Sequence, residues 1–196
     1  MLVRVLSYYQ VIPSYIDFLL VFGVHKHARE KRFSGFHSQI QLEYTPSLAV
    51  DYLGRSGRQF QLCYNLKSVG RWTEMGQLAP RDDQWSFRQG AFHHQFDILK
   101  GTALWIITRA NLDLKQRIEE TTGKTGRSED RHFQTPEQCL KSSFAIHLLL
   151  CHWASENWRT YFQWLEDTVE DEVSNSLECP SYVVLIYETP DLSHSI

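Results

Sequence analysis

Five carboxylates, Glu166, Asp167, Glu170, Asp171 and Glu172, close the longest periodic stretch of this 196-residue chain. On a helix, Glu166 and Glu170, and likewise Asp167 and Asp171, stand one turn apart and could offer oxygen ligands to a hard divalent cation such as Mg²⁺. One helix face supplies only two or three such oxygens, whereas Mg²⁺ wants near-octahedral coordination and keeps its waters. The expected affinity of a single chain is therefore weak, in the millimolar range, and tighter binding calls for carboxylates from a second subunit or from elsewhere in the fold. The competing account is a solvated helix end, where acids mildly oppose the helix dipole.

Other reactive residue types are present without the companions their chemistry needs. His25 and His27 in the basic loop His25 to Arg32 could bind an anion or metal, but no third ligand lies near them. Gly54-Arg55-Ser56-Gly57 has the residues of a phosphate cradle, yet it leads into a strand and lacks the helix N-terminus such a cradle uses. Gly123-Lys124-Thr125 has Ile118 where a nucleotide-binding loop needs its first glycine, and a helix precedes it where a strand should. His93 and His94 are neighbours on a strand and point to opposite faces, while His147 and His152, five apart, sit on different sides of a helix. Neither a nucleophile elbow nor a Ser/His/Asp arrangement can be traced, and the expectation is a non-enzyme without cofactor, weak Mg²⁺ aside.

The elements that must carry these residues centre on a β-hairpin over about 84–108. Trp85 and Phe87 alternate, the parity changes near Gly90, and Phe92, Phe96 and Ile98 resume it, which predicts a bulge at Gly90. Ala103 to Ile107, apolar on both faces, reads as a central strand, joined through the turn Leu99-Lys100-Gly101. Phe60, Leu62, Tyr64 and Leu66 form a further alternating strand, as do Ile40, Leu42 and Tyr44. Two short helices open the chain, Leu2 to about Gln10 and Ser14 to Phe22, the second capped by Ser14 with Gly23 following it. So abrupt an apolar start is what a chain missing preceding sequence would show. A short helix from Asn111 and a flexible loop at about 122–134 lead to the capping box Thr135-Pro136-Glu137-Gln138. From there Phe144, Leu148, Cys151, Ser155, Trp158, Phe162, Leu165 and Val169 mark a seam along one helix over 136–172, roughly 55 Å long. Beyond 174 lies an atypical tail in which Tyr182 to Tyr187 reads as a strand.

Composition narrows the classes. At 42% apolar the chain can bury a core, and a net charge of −3 with pI near 6.3 argues against nucleic acid as partner. Four dispersed cysteines, Cys63, Cys139, Cys151 and Cys179, suggest buried thiols in a reducing, cytoplasmic setting. The longest apolar run, Ala145 to Cys151, is interrupted by His147 and is far shorter than the roughly 20 residues of a membrane span.

Several ordered segments carry a resemblance. They are Ser7-Tyr8-Tyr9-Gln10-Val11-Ile12-Pro13 with Ile16-Asp17-Phe18, Phe33-Ser34-Gly35-Phe36, Leu53-Gly54-Arg55-Ser56-Gly57-Arg58, and Leu62-Cys63-Tyr64-Asn65-Leu66-Lys67-Ser68-Val69. Trp85-Ser86-Phe87-Arg88-Gln89, Phe96-Asp97 with Leu104-Trp105-Ile106, and Leu148 to Cys151 with Glu156-Asn157-Trp158-Arg159 continue the string. Over roughly Val3 to Asp167 the chain resembles a fungal family of CorA-like transporter-domain proteins. The resemblance implies an α/β cytosolic domain leading into a long stalk helix and two membrane helices of a divalent-cation channel. Membrane helices and the Gly-Met-Asn pore signature are missing here, so this chain by itself cannot conduct ions.

The expectation is thus an α/β or α+β fold, with a mixed or antiparallel sheet centred on the 84–108 hairpin, flanking helices and a long C-terminal helix. A single CorA-like domain would occupy 1–173, with 174–196 as its tail. Its role would be assembly or Mg²⁺ sensing, with Glu166, Asp167, Glu170 and Asp171 as candidate ligands and the long helix as a homo-oligomer contact. The alternative is a free-standing protein-interaction module.

Overall fold

The computed structural model describes residues 2–23, 33–71, 85–109, 112–123 and 133–178. The chain divides into two compact units, Met1–Trp158 and Arg159–Ile196. The first opens with helices α1 (Leu2–Tyr8) and α2 (Tyr15–Leu20), followed by strands β1 (Phe36–Gln41), β2 (Ala49–Val50), β3 (Arg55–Ser56), β4 (Gln59–Arg71), β5 (Trp85–Asp97) and β6 (Ala103–Thr108). Helices α3 (Leu112–Thr122), α4 (Pro136–Ser155) and α5 (Trp158–Glu178) complete the order.

A four-stranded antiparallel sheet, β1-β4-β5-β6, is the frame, and β2 with β3 forms a separate two-stranded ribbon. Because strand side chains alternate, each paired row lies on one face. Tyr64, Phe92 and Ile107 share a row, and with Leu114, Leu150 and Trp153 they build a core beneath α3 and α4. The opposite row, Cys63, His93 and Ile106, meets Leu6, Ile12, Tyr15 and Phe18 from the α1–α2 segment. The sheet is therefore a middle layer with helices on both faces, and β4 and β5 are its central strands.

Three local expectations are corrected. Pairing of β4 with β5 runs unbroken through Leu66 and Gly90, so there is no bulge, and the parity change is met by leaving Phe87 60% exposed. β6 is an edge strand and not a central one: its two-sided apolar pattern arises because Trp105 and Ile107 pack toward α4 while Ile106 packs toward α2. Burial on both faces reports the layers above and below a strand, not its neighbours in the sheet. Ser14 does not cap α2, since it is itself helical (φ −56°, ψ −20°) and its side chain makes no capping bond.

The turn reading holds at Gly101, whose φ of +69° brings its backbone against Pro136, where a Cβ would sit 2.8 Å from Pro136 Cα. The capping box at the start of α4 also forms, with Gln138 N donating to Thr135 Oγ1 and Thr135 N donating to Gln138 Oε1, both at 3.3 Å.

The C-terminal helical run is long, from Pro136 to Glu178, but it is two helices. Glu156 is extended (ψ 148°) and Asn157 takes φ +64°, a left-handed conformation that asparagine tolerates better than most residues. Asn157 Nδ2 then donates to Val69 O at 3.2 Å, tying the break to the end of β4, and Trp158 Nε1 donates to Ala154 O at 2.7 Å. The expected boundary near 173 falls inside α5.

Candidate functional site

Glu166, Asp167, Glu170, Asp171 and Glu172 all lie exposed on α5. Asp167 Oδ1 accepts from Gln163 Nε2 at 3.1 Å, one turn back. Among the described residues no group of three or more His, Cys, Asp or Glu is arranged to hold a metal ion. Along α5 these carboxylates stand only in pairs one turn apart. Along the same helix Phe162, Leu165, Val169 and Val173 are exposed apolar residues, and Tyr161 and Trp164 are half-buried. The seam's α4 members, Phe144, Leu148 and Cys151, are exposed as well, because α4 turns a different face, Ile146, Leu149, Leu150 and Trp153, to the sheet.

His93 and His94 do point to opposite faces of β5, and each is wholly buried. On the α4 face, Tyr64 Oη lies 2.6 Å from His147 Nδ1 and His147 Nε2 lies 2.9 Å from His94 Nδ1. His94 stacks flat on Trp105, ring centroids 4.1 Å apart and planes within 9°. With the phenol as donor, His147 donates onward to His94, leaving His94 Nε2–H and Trp105 Nε1–H as buried donors without an acceptor among the described residues. The reverse order would strand the phenol proton too. Burial holds His94 down to about 3, with the neighbouring His147 and His93 adding to the effect, and burial alone takes His147 down to about 4. Burial also pushes the Tyr64 phenol well above its usual range. Both imidazoles are neutral near pH 7. The row is a polar seam inside the core and presents no nucleophile to a substrate.

On the α1–α2 face, His93 Nε2 meets Gln61 Oε1 at 3.0 Å, and that oxygen also accepts the Ile12 amide at 2.9 Å. Burial, with the Arg55 cation second, takes His93 down to about 4. Tyr15, buried beside it, is pushed up to about 12 by burial, which its 3.0 Å contact with Thr108 Oγ1 only partly offsets. The Gly54–Gly57 turn lies next to this layer as β3, and Arg55 points inward, 4% exposed.

Pairing of His94 with His147 was not legible from spacing, since the two are 53 positions apart. The available signal was parity: His94 falls in the row of Phe92 and Phe96, and His147 lies one turn before Leu150 on the sheet-facing side of α4. The cysteine expectation is corrected: Cys63 is buried, Cys139 is half-buried and Cys151 is exposed, all three free. Cys179, His25, His27, Asn111, the Gly-Lys-Thr triplet beyond Gly123 and the strand expected at Tyr182 to Tyr187 lie outside the described residues.

No helix among the described residues is long and apolar enough to cross a membrane. No curated protein and no solved structure matches the chain. A family model, that of the CorA-like transporters, matches residues 1–177. That span takes in the sheet, both helical layers and α5 almost to its end, so the chain belongs to the CorA-like transporters, a family of transporters and not of catalysts.

Proposed function

We propose that this chain is a cytosolic, non-catalytic portion of a CorA-like divalent-cation system, and that α5 serves assembly and Mg²⁺ sensing. The observation that carries the reading is the pairing, on one exposed helix, of an apolar stripe (Phe162, Leu165, Val169, Val173) with an acidic end (Glu166, Asp167, Glu170, Asp171). Monomers rarely leave large contiguous apolar surface uncovered, and bringing copies together along α5 would also bring together carboxylates that one copy holds in pairs. A cation would then favour the assembled state by mass action.

Calorimetry with Mg²⁺ across protein concentrations, alongside light scattering, tests this. Millimolar affinity in the monomer, strengthening as the chain associates and lost in Glu166→Gln/Glu170→Gln, is expected. No Mg²⁺ binding at any protein concentration, or binding untouched by those substitutions, would remove the sensing role. The apolar stripe also favours a second reading, a free-standing interaction module. Concentration-dependent association that ignores Mg²⁺ would favour that module, and a monomer that binds no apolar dye would sink both.

A further inference from the structure

The turn Gly54-Arg55-Ser56-Gly57 lacks a helix N-terminus, yet its arginine reaches a cavity of about 100 Å³ whose walls include Tyr9, Arg55, Gln59, Gln95, Asp97 and Thr102. Arg55 is a buried guanidinium with no carboxylate within ion-pair distance among the described residues. Its acceptors are neutral: Tyr9 O, Gln10 Oε1 at 3.2 Å and Gln95 Oε1 at 2.9 Å. Asp97 is close enough to favour the cation but is otherwise engaged, accepting from the Ser56 hydroxyl and from the Ser56, Leu99 and Lys100 amides.

Arginine can only donate, and this fixes the rest of the wall. Gln95 must turn its oxygen to Arg55, so its nitrogen donates to Gln59 Oε1 at 2.8 Å. Gln59 must in turn present its own Nε2, which has no acceptor among the described residues. The relay thus leaves an amide donor and a buried cation along one small cavity, whose rim at Thr102 and Ala103 is exposed. Buried charges are ordinarily paired, and donors of this kind lack an acceptor-rich, negatively charged group. At about 30 Å³ per water the space suits a few waters or one small ligand. We infer that this cavity is a binding site for a small oxyanion, a carboxylate or phosphate group, held by Arg55 and Gln59.

The full-length chain in chloride buffer, titrated with inorganic phosphate or with acetate at constant ionic strength, should show a thermal midpoint that rises and saturates with at least one of them. Saturation by phosphate alone assigns a phosphoryl group, and by acetate alone a carboxylate; both outcomes support the site. Gln59→Glu keeps the oxygen that accepts from Gln95 and puts a carboxylate where the amide donor stood, so Arg55 gains an internal counter-charge. Opposite Asp97 in the β4–β5 register, the new carboxylate would also repel a bound anion, so that variant should lose the oxyanion response. A site filled by water alone would give no saturable response to either anion, which overturns the inference, as would a response that survives Gln59→Glu.

Discussion

Mild acid should strip this domain of much of its stability, because two histidines are folded in where a proton is costly. His93 and His94 are 0% and 1% exposed and are held down to about 4 and about 3, mainly by burial. In the unfolded chain each returns to about 6.5. Between the folded and unfolded values the unfolded state binds more protons, so stability rises with pH across that window. The stabilisation is fully present above the unfolded value and is lost as pH falls toward 4. From pH 7 to pH 5 the cost, RT ln(1 + 10^1.5) less the small term already present at pH 7, is about 2 kcal/mol per histidine, or about 4 for the two. His147, held down to about 4 by burial, also takes up a proton on unfolding and adds a further, smaller share because it is only half-buried. Against about 5–15 kcal/mol for a typical domain, that loss is a large share. Urea unfolding followed by tryptophan fluorescence at pH 7, 6 and 5 should show falling midpoints at constant m. His94→Phe preserves a ring against Trp105 and, with His93 and His147 still titrating, should remove between about a third and a half of the pH dependence. Stability at pH 5 within about 1 kcal/mol of that at pH 7, or an undiminished slope in His94→Phe, would refute burial of neutral imidazoles as the cause.

Two substitutions test the frame. Trp153→Ala empties a site 2% exposed between α4 and Phe92 and should cost about 3–5 kcal/mol in chemical denaturation, whereas a midpoint close to wild type would remove α4 from the core. Asn157→Ala places a Cβ-bearing, non-bonding side chain at φ +64° and loses the bond to Val69 O, for about 1–3 kcal/mol. Asn157→Gly should recover the backbone share of that loss, and a neutral Asn157→Ala would show that the helix break has another cause.

Legibility of this fold followed how local each determinant is. The strands at Phe60 to Leu66 and Trp85 to Ile107, the turn glycine at 101 and the capping box at Thr135 are set by residues a few positions apart, and all were readable. Strand order was not, since an edge strand covered by helices on both faces has the same pattern as a central one. The break at Glu156-Asn157 was hidden for a related reason: both residues are compatible with a helix, and what favours the left-handed asparagine is a hydrogen bond to Val69, 88 positions away. Of the candidate site, the acidic run could be read because it is one helix end. The polar clusters could not, because each is assembled from different elements across the sheet.

Those clusters explain why the central strands carry so many polar residues. At odd positions on one face, β4 and β5 bury Gln59, Gln61, Asn65, His93, Gln95 and Asp97, where a half-buried sheet ordinarily shows apolar side chains. Each of these costs desolvation unless it is bonded, and most of the bonds run to the chain's opening segment or to β3: Gln61 to Ile12 N and Gln10 O, Gln95 to Arg55, Asp97 to Ser56. Apolar contacts from Leu6, Tyr15 and Phe18 would accept small shifts of the α1–α2 segment over the sheet, whereas hydrogen bonds of fixed length and direction do not. A one-residue slip would leave several buried polar groups unpaired at about 1–3 kcal/mol each, so the polar layer fixes register where hydrophobic burial alone would only fix proximity.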